Sequence, residues 1–207
     1  MRVKICGMTR REDVRMASDA GADALGFISG FPKSPRNLTL ERVNELVKEV
    51  PPFVDTVLVT TSENVVNEGR LLREIHPSFV QLYNEDSSKP AIREMSGAKI
   101  IKPYLVGNTS QPPDLEGFDA LLSDTFVDGR FGGTGKVSDW GACRKLRDAV
   151  EPLPFILSGG LSANNVREGI SIVQPYAVDV SSGVEASPGV KDSSKIRAFL
   201  RAAREGE

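Results

Sequence analysis

The sequence has few of the residues that most often form metal sites and acid–base centres. Its 207 residues include one histidine, two cysteines and one tryptophan. The two cysteines, Cys6 and Cys143, lie too far apart for a paired metal-ligand motif and are too few for a disulfide framework. We therefore expect neither a zinc-type cysteine site nor a disulfide-stapled fold.

The sequence also lacks an excess of charge of one sign and a long apolar run. Lys and Arg number 26 against 28 Asp and Glu, so the strongly basic face of a nucleic-acid-binding protein is not expected. No apolar run approaches the ~18–20 residues of a membrane-spanning helix, and residues 1–13 become charged too early for a secretory signal. We expect one cytoplasmic domain over residues 1–207, with neither nucleic acid nor membrane as a partner.

What the chain does contain is a regular alternation of short apolar runs with amphipathic stretches of helical length. Helical spacing is clear at Leu40, Val43 and Leu46, which predicts one buried stripe. Residues 106–117 contain prolines and glycines and predict a loop with at most a short, degraded helix. The apolar runs that predict strands are residues 3–6, 24–28, 55–60, 79–82, 99–102, 120–123, 155–157 and 177–180.

Eight strand–helix units predict an α/β fold with a parallel sheet covered by helices. A closed (β/α)8 TIM barrel and an open doubly wound sheet both use these elements. Short loops, and the lack of a dinucleotide-binding glycine pattern after the first strand, favour the closed barrel, with its fifth helix short or degraded. In such a barrel the chemistry lies at the C-terminal ends of the strands, and the opposite end serves stability.

That rule sorts the histidine and the two cysteines. His76 follows a helix and precedes a strand, so we interpret it as a helix-terminal cation at the stability end. Cys6 ends the first strand and either faces the mouth or packs as a small hydrophobic residue. At the mouth, Lys4 and the following helix could lower the pKa of its thiol. Cys143 lies within a predicted helix and is interpreted as packing.

An acid and a cation follow two other strands. Asp124 ends the sixth strand and is either an acid that faces the mouth or the cap of the following loop. Arg36 lies in the loop after the second strand, where it either clamps an anion with both ends of its guanidinium or is solvated. With no histidine at the mouth, acid–base work falls to such residues.

Glycine turns after the last two strands indicate a phosphate site. Gly159 and Gly160 follow the seventh strand, and residues 181–183 (Ser-Ser-Gly) follow the eighth. Barrels often bind phosphate between these two loops through backbone N–H groups. The glycine-rich segment from Asp128 to Lys136 lacks the spacing of a nucleotide-binding P-loop, and we interpret it as a lid over the site.

Barrel closure places these candidates in a row, because strands six, seven, eight, one and two are neighbours. A phosphate held after strands seven and eight would lie between Asp124 and Cys6, with Arg36 one strand beyond. The layout suits a small substrate that carries a phosphate at one end and a carboxylate at the other, with acid–base chemistry between them.

These segments together resemble the phosphoribosylanthranilate isomerase family, and they follow that family's order over the whole chain. The first and last are highly specific in combination. After the fourth strand the family usually reads Gln-Leu-His-Gly, whereas Tyr83 and Asn84 stand in the last two positions here, so the resemblance assigns them no role. The matching segments are KICGMT at 4–9, PKSPR at 32–36, LSDT at 122–125, GGTG at 132–135, LSGGL at 157–161 and AVDVSSGVE at 177–185.

The resemblance implies an aldose–ketose isomerase of tryptophan biosynthesis. Its substrate would be the phosphosugar N-(5′-phosphoribosyl)anthranilate, its reaction an Amadori rearrangement to a 1-deoxyribulose 5-phosphate, and it would need neither a metal nor an organic cofactor. Carried over by motif, Cys6 is the general base, Asp124 the general acid, and Arg36 binds the anthranilate carboxylate. We expect a monomer or a homodimer. The other implied substrate contacts are Gly159, Gly160, Asp179, Ser181, Ser182 and Gly183.

Two alternatives stay open. The related aminoaldose isomerase of histidine biosynthesis, or a bifunctional enzyme, would use two aspartates and two phosphate sites. Cys6 occupies the first of those aspartate positions here, and the loops after strands three and four lack the second set of glycines. A barrel that binds a phosphosugar without turnover is the other alternative, and the presence of both Cys6 and Asp124 speaks against it.

Overall fold

The computed structural model describes most of the chain. The described residues are 1–67, 69–84, 88–106, 113–124, 126–127, 130–131 and 137–205. In these segments, no helix is long and apolar enough to cross a membrane.

Eight parallel strands form a closed barrel. Each strand pairs with the next along the chain, and the eighth pairs with the first, so these eight strands close into a ring. The closed barrel is therefore confirmed over the open doubly wound sheet. The strands are β1 Arg2–Cys6, β2 Ala24–Ser29, β3 Asp55–Thr61, β4 Phe79–Tyr83, β5 Lys99–Leu105, β6 Ala120–Asp124, β7 Phe155–Leu157 and β8 Ala177–Val180.

Helices surround the barrel, and three of them begin at a side-chain cap. Thr39, Asp139 and Asp192 each precede a helix and accept hydrogen bonds from backbone N–H groups of its first turn. The helices are α1 Arg11–Asp19, α2 Leu40–Val47, α3 Ser62–Asn67, α4 Gly69–Ile75, α5 Lys89–Ser96, α6 Trp140–Ala149, α7 Val166–Val173 and α8 Ser193–Arg204.

The connections after β5 and β6 contain the segments that were predicted as loop and lid. Residues 113–119 form no helix, in agreement with the predicted degradation of the fifth helix, and 107–112 lie outside the described residues. Of the predicted lid from Asp128 to Lys136, the structure describes Arg130–Phe131, which pairs antiparallel with Phe126–Val127. The rest of that segment, including the GGTG motif, lies outside the described residues, as does Thr125.

Side chains alternate along each strand between two layers. Outward residues such as Ile5, Leu25 and Leu58 pack under the helices in one large apolar core. The inward apolar residues form a second cluster inside the barrel, made of Cys6, Val57, Val59, Ile101, Ala120, Leu122, Ile156 and Ala177. On the same inward faces lie four buried polar residues, Lys4, Gln81, Asp124 and Asp179.

A small hairpin extends the loop after β8 toward the mouth. A 3-10 turn over Ser182–Val184 leads into an antiparallel pair formed by Glu185–Ser187 and Val190–Lys191. On the other side, Asn37–Leu38 adds a short parallel strand to the C-terminal half of β2. Both additions lie at the end of the barrel where the sequence predicts the site.

Candidate active site

Cys6 is the last residue of β1 and its side chain lies inside the barrel, where it is 6% exposed. Its neighbour in the β2 register is Gly26. A Cβ atom at Gly26 would lie 2.7 Å from the Cys6 sulfur, so a side chain there would occupy the space of the thiol. Gly26 thus has a local steric role that the sequence pattern did not single out.

Burial sets the protonation of the Cys6 thiol. It raises the pKa of Cys6 above the ordinary value of 9.0, while the ammonium of Lys4 lowers it, the carboxylate of Asp179 raises it and Lys191 lowers it. The expected lowering by Lys4 is therefore present, but the expected net direction is wrong. The reason is that a thiolate inside the barrel loses more hydration than the two cations return.

Lys4 and Asp179 form a buried ion pair below Cys6. The Nζ of Lys4 donates to Asp179 Oδ1 at 2.9 Å and to Gln81 Oε1 at 3.1 Å. The Ser158 hydroxyl donates to the second oxygen of Asp179 at 3.3 Å. Burial alone would lower the pKa of Lys4, but Asp179 and Cys6 outweigh it and raise that pKa. Lys4 is therefore a permanent cation beside the thiol.

Asp124 is the last residue of β6 and is 4% exposed. The Tyr83 hydroxyl donates to Asp124 Oδ2 at 2.7 Å, and it accepts a hydrogen bond from Gln81 Nε2 at 3.1 Å. Burial, together with the charges of Asp124 and Cys6, raises the pKa of Tyr83 well above 10.0. Because Cys6 and Asp124 are the last residues of two parallel strands in one closed barrel, the thiol and the carboxyl group lie at the same end of it.

Arg36 has a carboxylate partner within the protein. Its Nε and Nη2 donate to the two oxygens of Glu185 at 2.7 and 2.6 Å, and both side chains are buried. This is the bidentate geometry that the sequence predicted for a substrate anion, but here it is made with Glu185. The Nη1 group of Arg36 takes no part in that pairing.

Lys191 joins this pair to the ends of β1 and β8. Its Nζ donates to Glu185 Oε1 at 2.9 Å, to the Cys6 carbonyl at 2.6 Å and to the Ser181 carbonyl at 3.2 Å. Burial lowers the pKa of Lys191, and Glu185 offsets part of that effect. Two cations and one carboxylate therefore hold the hairpin against the mouth.

The two loops predicted to bind phosphate adopt compact backbone conformations. Gly159 and Gly160 have φ of 95° and 65°, a left-handed region in which glycine is not strained. A Cβ at Gly183 would collide with the carbonyl oxygen of Leu161, which follows β7. The turn after β8 thus packs directly on the loop after β7, and Asn165 fixes that loop by donating to the Gly160 carbonyl at 3.0 Å.

Gly7 brings the end of β1 close to the other predicted binding residues. It has φ of 81°, and a Cβ there would lie 2.6 Å from Arg36 Cδ and 3.1 Å from Ser181 Oγ. The structure therefore places Cys6, Arg36 and Ser181 around one point of the mouth. The strands β6, β7, β8, β1 and β2, which carry or precede the predicted site residues, are neighbours in the barrel in that order, as predicted.

Comparison of the sequence with models of known protein families identifies the family of this chain. The model described as "PRAI: N-(5'phosphoribosyl)anthranilate (PRA) isomerase" matches residues 3–202. The chain belongs to this family. Of the activities that the sequence left open, the match supports the isomerase of tryptophan biosynthesis.

Individual relatives agree with the family match. The N-(5'-phosphoribosyl)anthranilate isomerase of Haloferax volcanii is 42% identical over 207 residues, which cover 98% of this chain and 93% of that protein. The enzyme of Pseudomonas paraeruginosa is 39% identical over 212 residues, covering 99% and 95%.

Solved structures of the isomerase family also superpose on the whole barrel. Phosphoribosyl anthranilate isomerase from Thermotoga maritima has a TM-score of 0.80 and 36% identity, with 99% of each chain covered. A phosphoribosyl anthranilate isomerase in complex with reduced 1-(o-carboxyphenylamino)-1-deoxyribulose 5-phosphate has a TM-score of 0.76 and 35% identity, again over 99% of each chain. Sequence and fold thus both place the chain among the N-(5′-phosphoribosyl)anthranilate isomerases.

Some residues at the mouth of this isomerase were not predicted as site residues. Glu185 and Lys191 have no periodic pattern that marks them, and Gln81 lies within a predicted strand. A charged residue in the loop after the last barrel strand is the one signal available, because such loops form the mouth. Asn84 has φ of 55°, a conformation that asparagine tolerates, which explains how it replaces the family's usual glycine.

The remaining candidates from the sequence lie away from the mouth. His76 follows α4, is exposed and lies at the N-terminal end of the barrel. Cys143 is fully buried in α6, and burial raises the pKa of its thiol to about 11. Both positions agree with the predicted structural roles.

Proposed function

We propose that Cys6 is the general base and Asp124 the general acid of the isomerisation. The observation that carries this proposal is the position of both groups at the C-terminal ends of β1 and β6, on the inward faces of one barrel mouth. Lys4 supports the assignment, because a fixed cation stabilises the thiolate form of the base.

The chemistry follows from these two positions. Asp124 gives its proton to the ring oxygen of the ribose, the bond from that oxygen to C1′ breaks, and the anthranilate nitrogen becomes an iminium. The cationic nitrogen acidifies the C2′ hydrogen, which the Cys6 thiolate removes to form an enolamine. Tautomerisation at C1′ and C2′ then yields the aminoketose, so no hydrogen or electron is lost from the substrate.

The anionic ends of the substrate would bind on either side of this pair. Backbone N–H groups and hydroxyls of the loops after β7 and β8 are suited to the 5′-phosphate, since both loops are compact and meet at Leu161. Arg36 would bind the anthranilate carboxylate with the Nη1 side of its guanidinium, because Glu185 holds the other side. The residues proposed for the phosphate are Gly159, Gly160, Ser181, Ser182 and Gly183.

Asp179 is a different case among the predicted substrate contacts. Its carboxylate accepts hydrogen bonds from Lys4 and Ser158 within the barrel. Its proposed contribution is to keep Lys4 charged and oriented toward the thiol. A direct contact between Asp179 and the substrate stays a prediction.

The proposal also covers the cellular location and the oligomeric state of the enzyme. We propose a cytoplasmic protein that is a monomer or a homodimer. One solved relative has 33% identity and a TM-score of 0.76. It is described as a monomer generated from the dimeric phosphoribosylanthranilate isomerase of Thermotoga maritima, so both a monomer and a dimer are considered for this chain. Sedimentation velocity on the purified protein distinguishes them.

Two single substitutions test the assignment of acid and base. Cys6→Ala and Asp124→Asn each remove one proton-transfer group, and we expect each to lower kcat by at least ~10²-fold with the fold intact. Initial rates with N-(5′-phosphoribosyl)anthranilate, followed by fluorescence, give kcat, and circular dichroism reports the fold.

Matched controls make the same chemical changes elsewhere. Cys143→Ala removes the other thiol in α6, and Asp139→Asn keeps a residue able to cap the same helix. Both controls should keep kcat within about twofold of the wild-type value. A folded Cys6→Ala or Asp124→Asn variant with similar kcat removes that residue from the mechanism.

A further inference from the structure

Tyr83 is a polar residue at the mouth to which the resemblance assigns no role. It ends β4 and points into the barrel, two residues after Gln81 on the same face of the strand. The family usually has a histidine here, so the contacts of this tyrosine belong to this chain's own sequence. Its hydroxyl lies 2.7 Å from Asp124 Oδ2.

Three hydrogen bonds run in one direction from Lys4 to Asp124. Lys4 Nζ donates to Gln81 Oε1, Gln81 Nε2 donates to the Tyr83 hydroxyl, and that hydroxyl donates to Asp124. The donors of Gln81 and Tyr83 are each oriented by a bond that the same side chain accepts, because Lys4 donates to Gln81 and Gln81 donates to Tyr83. The chain therefore has a charged donor at one end and the proposed acid at the other.

The Tyr83 ring is also held by packing. Phe31, from the loop after β2, meets it edge to face with ring centroids 5.3 Å apart. Burial and the charge of Asp124 raise the pKa of the phenol well above 10.0, which favours its protonated form, so the hydroxyl can donate to the Asp124 carboxylate. A half-buried donor whose ring is held by packing orients its acceptor.

Other charged and titratable groups share the inward faces of the barrel with Asp124. On the neighbouring β5, Lys102 lies over the Phe118 ring at 4.7 Å, in the outer layer, and the Cys143 thiol of α6 lies behind β6. The three residues of β7 are all apolar. Among the described residues, the titratable groups that share the interior of the barrel with Asp124 are Lys4 and Cys6 on β1, Tyr83 on β4 and Asp179 on β8.

We propose that Tyr83 is a positioning residue for Asp124. Its hydroxyl, held by Gln81, fixes the orientation of the carboxyl group toward the substrate and stabilises the carboxylate that remains after the proton has been given. The inference rests on the proposed role of Asp124 as the general acid.

A direct titration of the carboxyl group tests the inference. In protein with 13C-labelled aspartate, the Asp124 carboxyl signal is assigned by its loss in Asp124→Asn, and its pH midpoint is compared between wild type and Tyr83→Phe. A hydrogen bond to the charged form lowers the midpoint, so its removal should move the midpoint ~0.5–1.5 units to higher pH. Gln81→Met, of similar volume, should give a smaller shift in the same direction.

Kinetics and a matched control separate positioning from general damage. Tyr83→Phe should lower kcat ~10-fold and leave KM within about twofold, because orientation of the acid matters for chemistry more than for binding. Tyr176→Phe removes a hydroxyl from an exposed tyrosine at the other end of the barrel and should change neither kcat nor the Asp124 midpoint.

The possible outcomes are distinct. An Asp124 midpoint in Tyr83→Phe and Gln81→Met equal to that of wild type overturns the inference, as does a wild-type kcat in Tyr83→Phe. If Asp124→Asn keeps its activity, the proposed acid itself is wrong. If Asp124→Asn is inactive while Tyr83→Phe behaves as wild type, the failure belongs to Tyr83 alone.

Discussion

At the scale of single residues, the proposed base of this site is the thiol of Cys6, which is almost fully buried and lies beside the ammonium of Lys4. The sequence shows that Lys4 and Cys6 share a strand face, because they are two residues apart. It does not show how completely the barrel surrounds them, and that burial decides the net direction of the pKa shift. Proximity along the chain thus predicted that Lys4 acts on the thiol of Cys6, but not that burial outweighs Lys4 in setting the pKa.

The first residue-scale consequence is a high titration midpoint for Cys6. Since burial raises the pKa of this thiol above 9.0, the thiol is largely protonated at neutral pH and the thiolate increases only as the pH rises beyond that value. The ultraviolet absorbance of the thiolate measures this titration directly.

The measurement is best made in Cys143→Ala, which removes the second thiol, with the Cys6→Ala, Cys143→Ala double variant as the blank. The pH midpoint of the thiolate signal is expected above 9.0. A midpoint well below that value would show that Lys4 and Lys191 outweigh burial.

For Arg36, the sequence predicted the position of the side chain but not its partner. The arginine was found because it follows a strand end, and its bidentate geometry was expected. Its partner was not, since Glu185 is 149 positions away in the sequence and nothing in a local pattern joins the two. Contacts of this kind depend on which loops meet when the barrel closes.

At the scale of elements, the strands were predicted almost residue by residue. The runs at 155–157 and 177–180 are the strands β7 and β8 as observed, and the other predicted runs fall within one to three residues of the observed ends. Parallel barrel strands are nearly continuous apolar runs, which makes them easy to recognise. The hairpin over residues 185–191 was missed, because its two strands are only three and two residues long.

An element-scale prediction concerns the contact between the loops after β7 and β8. Gly183→Ala would push a methyl group into the Leu161 carbonyl, so the two loops must separate. We expect a loss of about 1–3 kcal/mol in the free energy of unfolding and a several-fold higher KM, with weaker inhibition by inorganic phosphate. Urea unfolding and steady-state kinetics measure the two effects.

Gly97→Ala is the matched control for that change. Gly97 has φ of 67° but no atom within 4 Å of an added Cβ, and it lies between α5 and β5 at the far end of the barrel. It should cost about 1–2 kcal/mol through backbone strain and leave KM unchanged. If both variants change KM equally, the phosphate role of the β7 and β8 loops is wrong.

At the scale of the whole molecule, the barrel separates chemistry from stability along its axis. The proposed acid and base, the Tyr83 hydroxyl and the glycine turns lie at the C-terminal ends of the strands. His76 and Tyr176 lie at the other end. This division follows from the parallel order of the strands, and it is the reason why the sequence predicts a structural role for His76.

The axial division predicts a silent substitution at His76. Its φ of 50° is one that asparagine tolerates, so His76→Asn should fold normally. We expect kcat/KM, and its dependence on pH across the neutral range, to stay within about twofold of wild type. A change in the shape of the pH profile would place His76 in the mechanism.

The ion pair between Lys4 and Asp179 bears on how the barrel is made during synthesis. The two residues are 175 positions apart, so the cation emerges from the ribosome long before its counter-charge exists. An unfinished barrel that buried Lys4 would hold an unneutralised ammonium in an apolar interior, at a cost of several kcal/mol. Burial of Lys4 in a partial barrel is therefore unfavourable. The last strand to be translated, β8, both closes the barrel and supplies the carboxylate that neutralises Lys4.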